Sequence, residues 1–133
     1  MRLLVAVDGG ARGNPGPAAI GAVVSTPEGQ VLEEAAERIG EATNNVAEYR
    51  ALLLGLERTR ALGATEVEVT NDSELVARQV GGAYKVKHAA LRPLYDQAMQ
   101  ALQGFDRWSL RSVPREQNAE ADRLVNEALD AAG

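Results

Sequence analysis

Residues 3–10 read Leu3-Leu4-Val5-Ala6-Val7-Asp8-Gly9-Gly10, an unbroken apolar run that ends in an acid and two glycines. Such a run is typical of a central strand that is buried on both faces. The glycine-rich segment from Gly9 to Pro17 is expected to end regular structure, and Ala19 to Ser25 has the composition of a second strand. A dinucleotide-binding loop needs a helix at that point, so this alternative is excluded. Taken alone, the loop predicts no more than a tight surface turn.

The rest of the chain predicts alternating helices and strands. The turn Thr26-Pro27-Glu28-Gly29 favours a strand over Gln30–Ile39, although its helix-forming residues leave a helix as the alternative. Thr43-Asn44-Asn45 predicts the start of a helix that ends near Leu62. Its predicted core stripe is Val46, Tyr49, Leu53 and Leu56. The later predicted elements are a strand over Glu66–Thr70, a short helix from Asp72 to about Gly81, a helix over Ala89–Leu102, a strand over Trp108–Val113 and a helix that ends at Ala132. Three strands followed by alternating helices and strands predict an α/β fold with a mixed sheet.

Composition limits the kind of protein. The 133 residues suit one domain spanning 1–133, and a hydrophobic fraction of 45% is enough for a core. The absence of cysteine excludes disulfides, thiolate metal sites and cysteine nucleophiles. No apolar stretch approaches the roughly 20 residues of a membrane helix, and the run before Asp8 is too short for a signal peptide. We therefore expect a soluble, cytoplasmic protein. No obligate protein partner is evident, and a monomer is expected.

Charge is unevenly distributed along the chain. The net charge of −5 argues against a nucleic-acid-binding protein, which is expected to be basic. However, the segment from Leu75 to Tyr95 contains no acidic residue. Its basic residues are Arg78, Lys85, Lys87, His88 and Arg92, and a second basic group follows at Arg107, Arg111 and Arg115. These residues indicate either a solvated face or a surface that binds a polyanion.

Four acidic residues occupy positions where the carboxylate has either a structural or a functional explanation. Asp8 and Asp72 follow predicted strands, where ligands gather in parallel sheets. Taken singly, however, Asp72 is better explained as the cap of the next helix, and Asp8 as an ordinary turn residue. Glu48 lies in the first turns of a helix, where it could simply favour the helix dipole. Asp122 lies at the edge of an apolar helix stripe, where a carboxylate is costly unless it is paired or bound to a metal. Spacing alone does not bring the four together.

Taken in order, the motifs around these acids resemble those of type 1 ribonuclease H over essentially the whole chain. They are Asp8-Gly9-Gly10 with Asn14-Pro15-Gly16, Thr43-Asn44-Asn45-Val46-Ala47-Glu48, Asn71-Asp72-Ser73, and Pro114-Arg115-Glu116-Gln117-Asn118-Ala119-Glu120-Ala121-Asp122. The resemblance implies a ribonuclease H-like fold, with a five-stranded mixed sheet, helices on both faces and the order βββαβα(α)βα. It also implies hydrolysis of the RNA strand of RNA–DNA hybrids, with 5′-phosphate and 3′-hydroxyl products.

The resemblance further implies the roles of particular residues. Asp8, Glu48, Asp72 and Asp122 would hold two Mg²⁺ or Mn²⁺ ions, with Arg115 as a further catalytic group. Gly9, Gly10, Asn44 and Glu48 would sense the RNA 2′-hydroxyls. Asn14, Thr43 and Asn45 would face the strand backbones, with Thr43 near a DNA phosphate. Tyr84, Lys85 and Lys87 would form a shortened basic handle for the DNA strand, and Asn118 is expected among the substrate-binding residues.

Three departures from the family pattern point to its compact branch. The handle is short, Arg115 stands where many members carry a histidine, and Glu74 replaces a neutral residue. Arginine does not titrate near neutral pH, so Arg115 would act by charge. Some compact members also cut RNA duplexes, which leaves that activity open. The alternatives are a resolvase- or integrase-like nuclease, a non-catalytic hybrid-binding module and an unrelated α/β binding domain; the Asn44-Asn45 pair and the complete set of four acids favour ribonuclease H.

Overall fold

The computed structural model describes residues 1–131 and contains the predicted order of elements. The elements are β1 (Arg2–Ala11), β2 (Gly16–Ser25), β3 (Val31–Ala42), α1 (Asn44–Ala61), β4 (Glu66–Asn71), α2 (Glu74–Val80), α3 (Arg92–Gln103), β5 (Arg107–Ser112) and α4 (Ala119–Asp130). A single 3₁₀ turn, Arg115–Asn118, precedes α4. The segment after the Thr26–Gly29 turn is a strand, as predicted. The predicted helix end at Ala132 lies outside the described residues.

One five-stranded mixed sheet organises the chain, in the order β3-β2-β1-β4-β5. The antiparallel pairs are β1 with β2 and β2 with β3, while β1, β4 and β5 run parallel. The two parallel connections carry the helices α1, α2 and α3, as crossover connections between parallel strands require. The predicted mixed sheet is therefore confirmed.

Helices cover both faces of this sheet. Alternate residues of a strand point to opposite faces, and in β2 Ile20 belongs to the core under α1 whereas Ala19 packs against Val125 and Leu129 of α4. Glycines let both helices approach closely. A Cβ at Gly55 of α1 would collide with Val7 of β1. A Cβ at Gly21 of β2 would lie only 3.0 Å from Leu124 Cβ of α4.

The prediction that regular structure stops at Gly9 is wrong. Strand β1 continues to Ala11, because Gly9 and Gly10 pair with Ile20 and Ala19 of β2. Glycine keeps both backbone hydrogen-bonding groups, so a neighbouring strand can hold it in a sheet despite its low strand propensity. The loop between the strands is reduced to residues 12–15.

The predicted core stripe of α1 is wrong at one position. Tyr49 and Leu56 are fully buried, but Leu52 replaces Leu53, which is only partly buried, as is Val46. Leu52 and Leu53 lie three and four residues after Tyr49, so helical spacing allows either, and packing against the sheet selects Leu52. Helix α3 also begins later than predicted, at Arg92, because Ala89 and Ala90 lie in an exposed turn. Within residues 1–131, no helix combines the length and apolarity that a membrane span requires.

Candidate active site

Asp8 and Asp72 lie side by side at one edge of the sheet. Strands β1 and β4 run parallel, and their last paired residues are Ala6 and Thr70. Each acid lies two residues beyond this pair, where the strands begin to separate. Asp8 is only 3% exposed although it carries a carboxylate. The parallel register therefore brings the two acids to the same point, as expected for the carboxyl ends of parallel strands.

Glu48 reaches the same point from α1. Thr43 caps this helix by accepting a hydrogen bond from Val46 N–H at 3.2 Å, as its start signal predicts. One turn later, Glu48 Oε1 accepts a 2.7 Å hydrogen bond from Gly9 N–H in β1. Carboxylate oxygens of Asp8, Glu48 and Asp72 all lie within 4.8 Å of one another. Three of the four predicted acids thus form a compact cluster.

Asp122 lies on the wall of the same cavity but outside that cluster. It comes from the first turn of α4, which packs on the opposite face of the sheet from α1. Its Oδ2 accepts a hydrogen bond from Asn126 Nδ2 at 3.3 Å. The cavity has a volume of about 260 Å³ and contains all four acids. Arg123, adjacent to Asp122, points away from it and pairs with Glu34, Glu120 and Glu127.

Burial and mutual repulsion control the ionisation of this cluster. Burial raises the pKa of Asp8 from 3.8 to about 8, with further increases from the charges of Asp72 and Asp122. Burial also raises the pKa of Glu48, from 4.5 to about 9, and the charges of Asp8 and Asp72 add to this, whereas the Gly9 N–H lowers it. Such shifts identify a site where negative charge lacks compensation.

The cluster has the chemistry of a divalent-cation site. Hard cations prefer several carboxylate oxygens, and the three clustered acids offer them at one point. Asp72 Oδ2 is buried and has no hydrogen-bond partner within residues 1–131. The alternative role of Asp72 as a helix cap is wrong, because Ser73 caps α2 by accepting from Val76 N–H. The site residues therefore fit a divalent metal ion.

Two arginines stand at the rim of the cavity. Arg115, from the 3₁₀ turn, places Nε 3.6 Å from Asp72 Oδ2, and its side chain is 77% exposed. Arg12, from the β1–β2 loop, lies at the end of α4, where Nη2 is 2.7 Å from Asp130 Oδ1. Arg12 was not expected at the site, because a lone arginine in a loop gives no signal until α4 is packed beside it.

Asparagines connect the β1–β2 loop to the start of α1. Asn44 Oδ1 accepts from Ala11 N–H at 2.9 Å, and Asn14 Oδ1 accepts from Asn44 N–H at 3.0 Å. The two predicted substrate-binding amides thus also fix the backbone at the cavity rim. Asn14, Thr43 and Asn45 line a neighbouring cavity of about 160 Å³ together with His88 and Leu91. From the sequence, His88 is expected only as part of the basic segment.

The predicted handle and Asn118 lie outside the carboxylate cavity. Tyr84, Lys85 and Lys87 are exposed in the connection between α2 and α3, with the Arg78 guanidinium 5.4 Å from the centre of the Tyr84 ring. Asn118 is 2% exposed, and its Nδ2 donates to the Val7 carbonyl at 2.9 Å. A side chain buried in this way does not fit the prediction that it contacts substrate; it fits a residue that holds the 3₁₀ turn against β1.

The fold and the carboxylate site together define a ribonuclease H-like protein, whose cluster of acids fits a metal ion. A family model described as reverse transcriptase-like matches residues 6–128. The chain is 46% identical to the ribonuclease HI of Halobacterium salinarum over 125 residues, which are 94% of this chain and 63% of that protein. It is 52% identical to the bifunctional protein Rv2228c of Mycobacterium tuberculosis over 133 residues, 99% of this chain and 36% of that protein. The chain therefore spans about a third of the length of this mycobacterial relative.

Two solved structures match the fold of this chain over nearly their full lengths. The crystal structure of RNase H1 from Halobacterium salinarum has a TM-score of 0.96 and 44% identity, covering 98% of this chain and 99% of that one. LC11-RNase H1 in complex with an RNA/DNA hybrid has a TM-score of 0.93 and 45% identity, covering 98% of both chains. The chain belongs to the type 1 ribonuclease H family, as its motifs indicate.

Proposed function

We propose that residues 1–133 form one catalytic domain that hydrolyses the RNA strand of RNA–DNA hybrids and leaves 5′-phosphate and 3′-hydroxyl ends. The observation that carries this proposal is the cluster of Asp8, Glu48 and Asp72, whose carboxylate oxygens lie within 4.8 Å of one another. A relative of 45% identity that binds an RNA/DNA hybrid supports the choice of substrate. The Asn44–Asn45 pair and the complete set of acids favour this over a non-catalytic binding module.

The acids are proposed to hold two Mg²⁺ or Mn²⁺ ions, with Asp122 completing the set from α4. The raised pKa values of Asp8 and Glu48 support this, because they indicate negative charge that lacks compensation. Asp72 Oδ2 supports it too, since it is buried and accepts no hydrogen bond within residues 1–131, although Arg115 Nε lies 3.6 Å away. When bound, such ions supply Lewis-acid stabilisation at a scissile phosphate. Without them, the cavity would repel a polyanion.

Hydrogen bonds within the chain position the carboxylates. The hydrogen bond from Gly9 N–H holds the Glu48 carboxylate against β1. Asn126 Nδ2 donates to both the carbonyl and the Oδ2 of Asp122 and so holds that carboxylate. Arg115 lies beside Asp72 with most of its side chain in solvent, so it is free to reach a phosphate. Because its guanidinium stays charged at all relevant pH values, Arg115 stabilises developing negative charge and does not transfer a proton.

Substrate recognition is proposed to divide between two surfaces. The backbone at Gly9 and Gly10, with Asn44, faces the RNA strand and distinguishes it by its 2′-hydroxyls. Asn14, Thr43 and Asn45 contact strand backbones, and Tyr84, Lys85 and Lys87 add a basic surface for the DNA strand. Asn118 holds β1 through Val7 and has no substrate contact in this proposal.

Cleavage of end-labelled RNA tests the proposal. The RNA is supplied as a hybrid, as an RNA duplex and as a single strand, each with Mg²⁺, Mn²⁺ or EDTA. Cleavage of the hybrid with either metal and none in EDTA is expected, with 5′-phosphate on the downstream product. Binding of the hybrid without cleavage under all three conditions would instead favour a binding module. The duplex arm decides whether RNA duplexes are also substrates.

A further inference from the structure

Arg12 is one of only two cations on the wall of the carboxylate cavity, counting residues 1–131. The other is Arg115, which lies beside Asp72 at 3.6 Å. Arg12 lies beside the end of α4, so the two arginines approach the acids from different elements. A nucleic-acid strand entering this cavity meets four acids, and a second cation at the rim would offset part of that repulsion.

Among residues 1–131, the Arg12 side chain has one ion-pair partner, and that partner is exposed. Its Nη2 lies 2.7 Å from Asp130 Oδ1, with the two side chains 49% and 68% exposed. Asp130 is the last residue of α4, where a carboxylate meets the negative end of the helix dipole and where the last turn contains no basic residue. Exposed ion pairs contribute little to stability, so a phosphate can replace Asp130 as the partner of Arg12.

The backbone of Arg12 is fixed, in contrast to its side chain. Its N–H donates to the Pro17 carbonyl at 2.8 Å, and Gly16 lies so close to the Arg12 carbonyl that a Cβ there would collide with it. Exchange of partners therefore needs only rotation of the arginine side chain, with no movement of the loop. The planar guanidinium can make two parallel hydrogen bonds to a phosphate as it does to a carboxylate.

We propose that Arg12 binds a backbone phosphate of the strand that lies over the carboxylates, and that Asp130 competes with this phosphate for the guanidinium. This inference rests on the proposed function. Asp130 thus weakens substrate binding in the free protein, and Arg12 is a substrate-positioning residue that acts together with Arg115.

Steady-state cleavage of the hybrid in Mg²⁺ at several salt concentrations tests the inference. Arg12→Ala is expected to raise KM about three- to tenfold with little change in kcat, and to reduce the log–log salt slope by about 1. Arg12→Lys should recover part of the loss. Asp130→Asn should lower KM by up to about fivefold, and this gain should vanish in the Arg12→Ala background.

Arg2 and Glu68 provide the matched control. They form the same kind of exposed ion pair, at 3.3 Å, but at the start of β1 and away from the carboxylate cavity. Arg2→Ala and Glu68→Gln should leave KM and the salt slope unchanged. Melting temperatures verify that every variant is folded, and Arg12→Lys with Asp130→Asn would still test the inference if Arg12→Ala did not fold.

The outcomes separate the two proposals. If the wild type cleaves the hybrid while Arg12→Ala behaves like Arg2→Ala, the inference is wrong and the proposed function stands. If Asp130→Asn lowers KM equally with and without Arg12, Asp130 acts by general repulsion and the competition is wrong. If the wild type neither binds nor cleaves the hybrid, the proposed function is wrong and the inference with it.

Discussion

Gly9 N–H donates a 2.7 Å hydrogen bond to Glu48 Oε1, which joins the carboxyl-terminal part of β1 to the first turns of α1. The two elements approach so closely here that a Cβ on Gly9 would collide with the Ala47 carbonyl. Gly9 therefore has a steric reason to be glycine as well as a hydrogen bond to give. Gly10, the next residue, lies in a different environment, where the nearest atom to an added Cβ would be Val125 Cγ1 at 3.9 Å.

These two glycines make a matched pair for the first prediction. Gly9→Ala should force α1 away from β1, destabilise the fold by about 1–3 kcal/mol and displace Glu48. Gly10→Ala should leave stability unchanged or slightly increased, since its φ is not positive and space is available. Thermal unfolding of both variants measures the difference. Equal melting temperatures would show that the contact between Gly9 and Ala47 is not tight.

The carboxylates are the subject of the second prediction. Asp8→Asn or Asp72→Asn should reduce cleavage at least about a thousandfold, which corresponds to roughly 4 kcal/mol of transition-state stabilisation. The reason is the loss of one proposed metal ligand from the cluster. Glu68→Gln, an exposed acid on β4 outside the cavity, is the control. Near-normal turnover by a folded Asp72→Asn protein would rule out the proposed site.

The third prediction concerns the only two lysines of the sequence, Lys85 and Lys87. Both are exposed between α2 and α3, in the segment without acids. Replacing both with alanine should weaken hybrid binding and reduce the log–log salt slope by roughly 1 to 2, because fewer counterions are released. Arg2→Ala with Arg60→Ala removes the same charge from exposed positions at the start of β1 and in the last turn of α1, outside both basic groups, and is the control. An unchanged slope would show that the two lysines belong to a solvated face that does not bind the hybrid.

Arg115 gives the fourth prediction. Arg115→Ala should slow turnover by about 10- to 100-fold, equivalent to about 1.4–2.7 kcal/mol, since a cation beside Asp72 is lost. Arg115→Lys should restore part of kcat, because the proposed role needs charge alone. The ratio of the two kcat values is the measurement. If lysine were no better than alanine, the geometry of the guanidinium and not its charge would be the explanation.

The element order could be predicted because it depends on local pattern. Apolar periodicity located the strands and helices, and the short Thr26–Gly29 turn correctly favoured a strand over a helix for the segment that follows. Element ends and buried positions that depend on a neighbouring element could not be predicted. Strand β1 extends to Ala11 only because β2 pairs with it, and Leu52 is buried instead of Leu53 because of how α1 rests on the sheet.

The site shows the same division between local and tertiary information. Asp8 and Asp72 lie at strand ends that the sequence reveals, so their proximity follows once the strands are parallel. Arg12 and Asp130 are 118 residues apart, and nothing in their local sequence indicates the ion pair. For Asn118 the local sequence does suggest a role, substrate binding, but the 3₁₀ turn buries its side chain against Val7.

The last prediction concerns stability without metal. Asp8 and Glu48 have raised pKa values, so between their unfolded values near 4 and their folded values of about 8 and about 9 the folded chain binds more protons than the unfolded chain. Stability in EDTA should therefore fall as pH rises through this range. Asp8→Asn removes one acid from the cluster and should raise the melting temperature at pH 7–9 by a few degrees, on the order of 1 kcal/mol.

Metal and pH provide the controls for this effect. Mg²⁺ should stabilise the wild type by binding the folded site, and should stabilise Asp8→Asn less. As the pH falls from 7 to 5 it approaches the unfolded pKa of Asp8 near 4, where the unfolded chain binds this proton too, so the gain from Asp8→Asn should shrink. Calorimetry of both proteins at pH 5, 7 and 9, in EDTA and in excess Mg²⁺, measures all three effects. A lower melting temperature for Asp8→Asn in EDTA at pH 8, with no effect of Mg²⁺ on the wild type, would show that these acids neither repel one another nor share a metal ion.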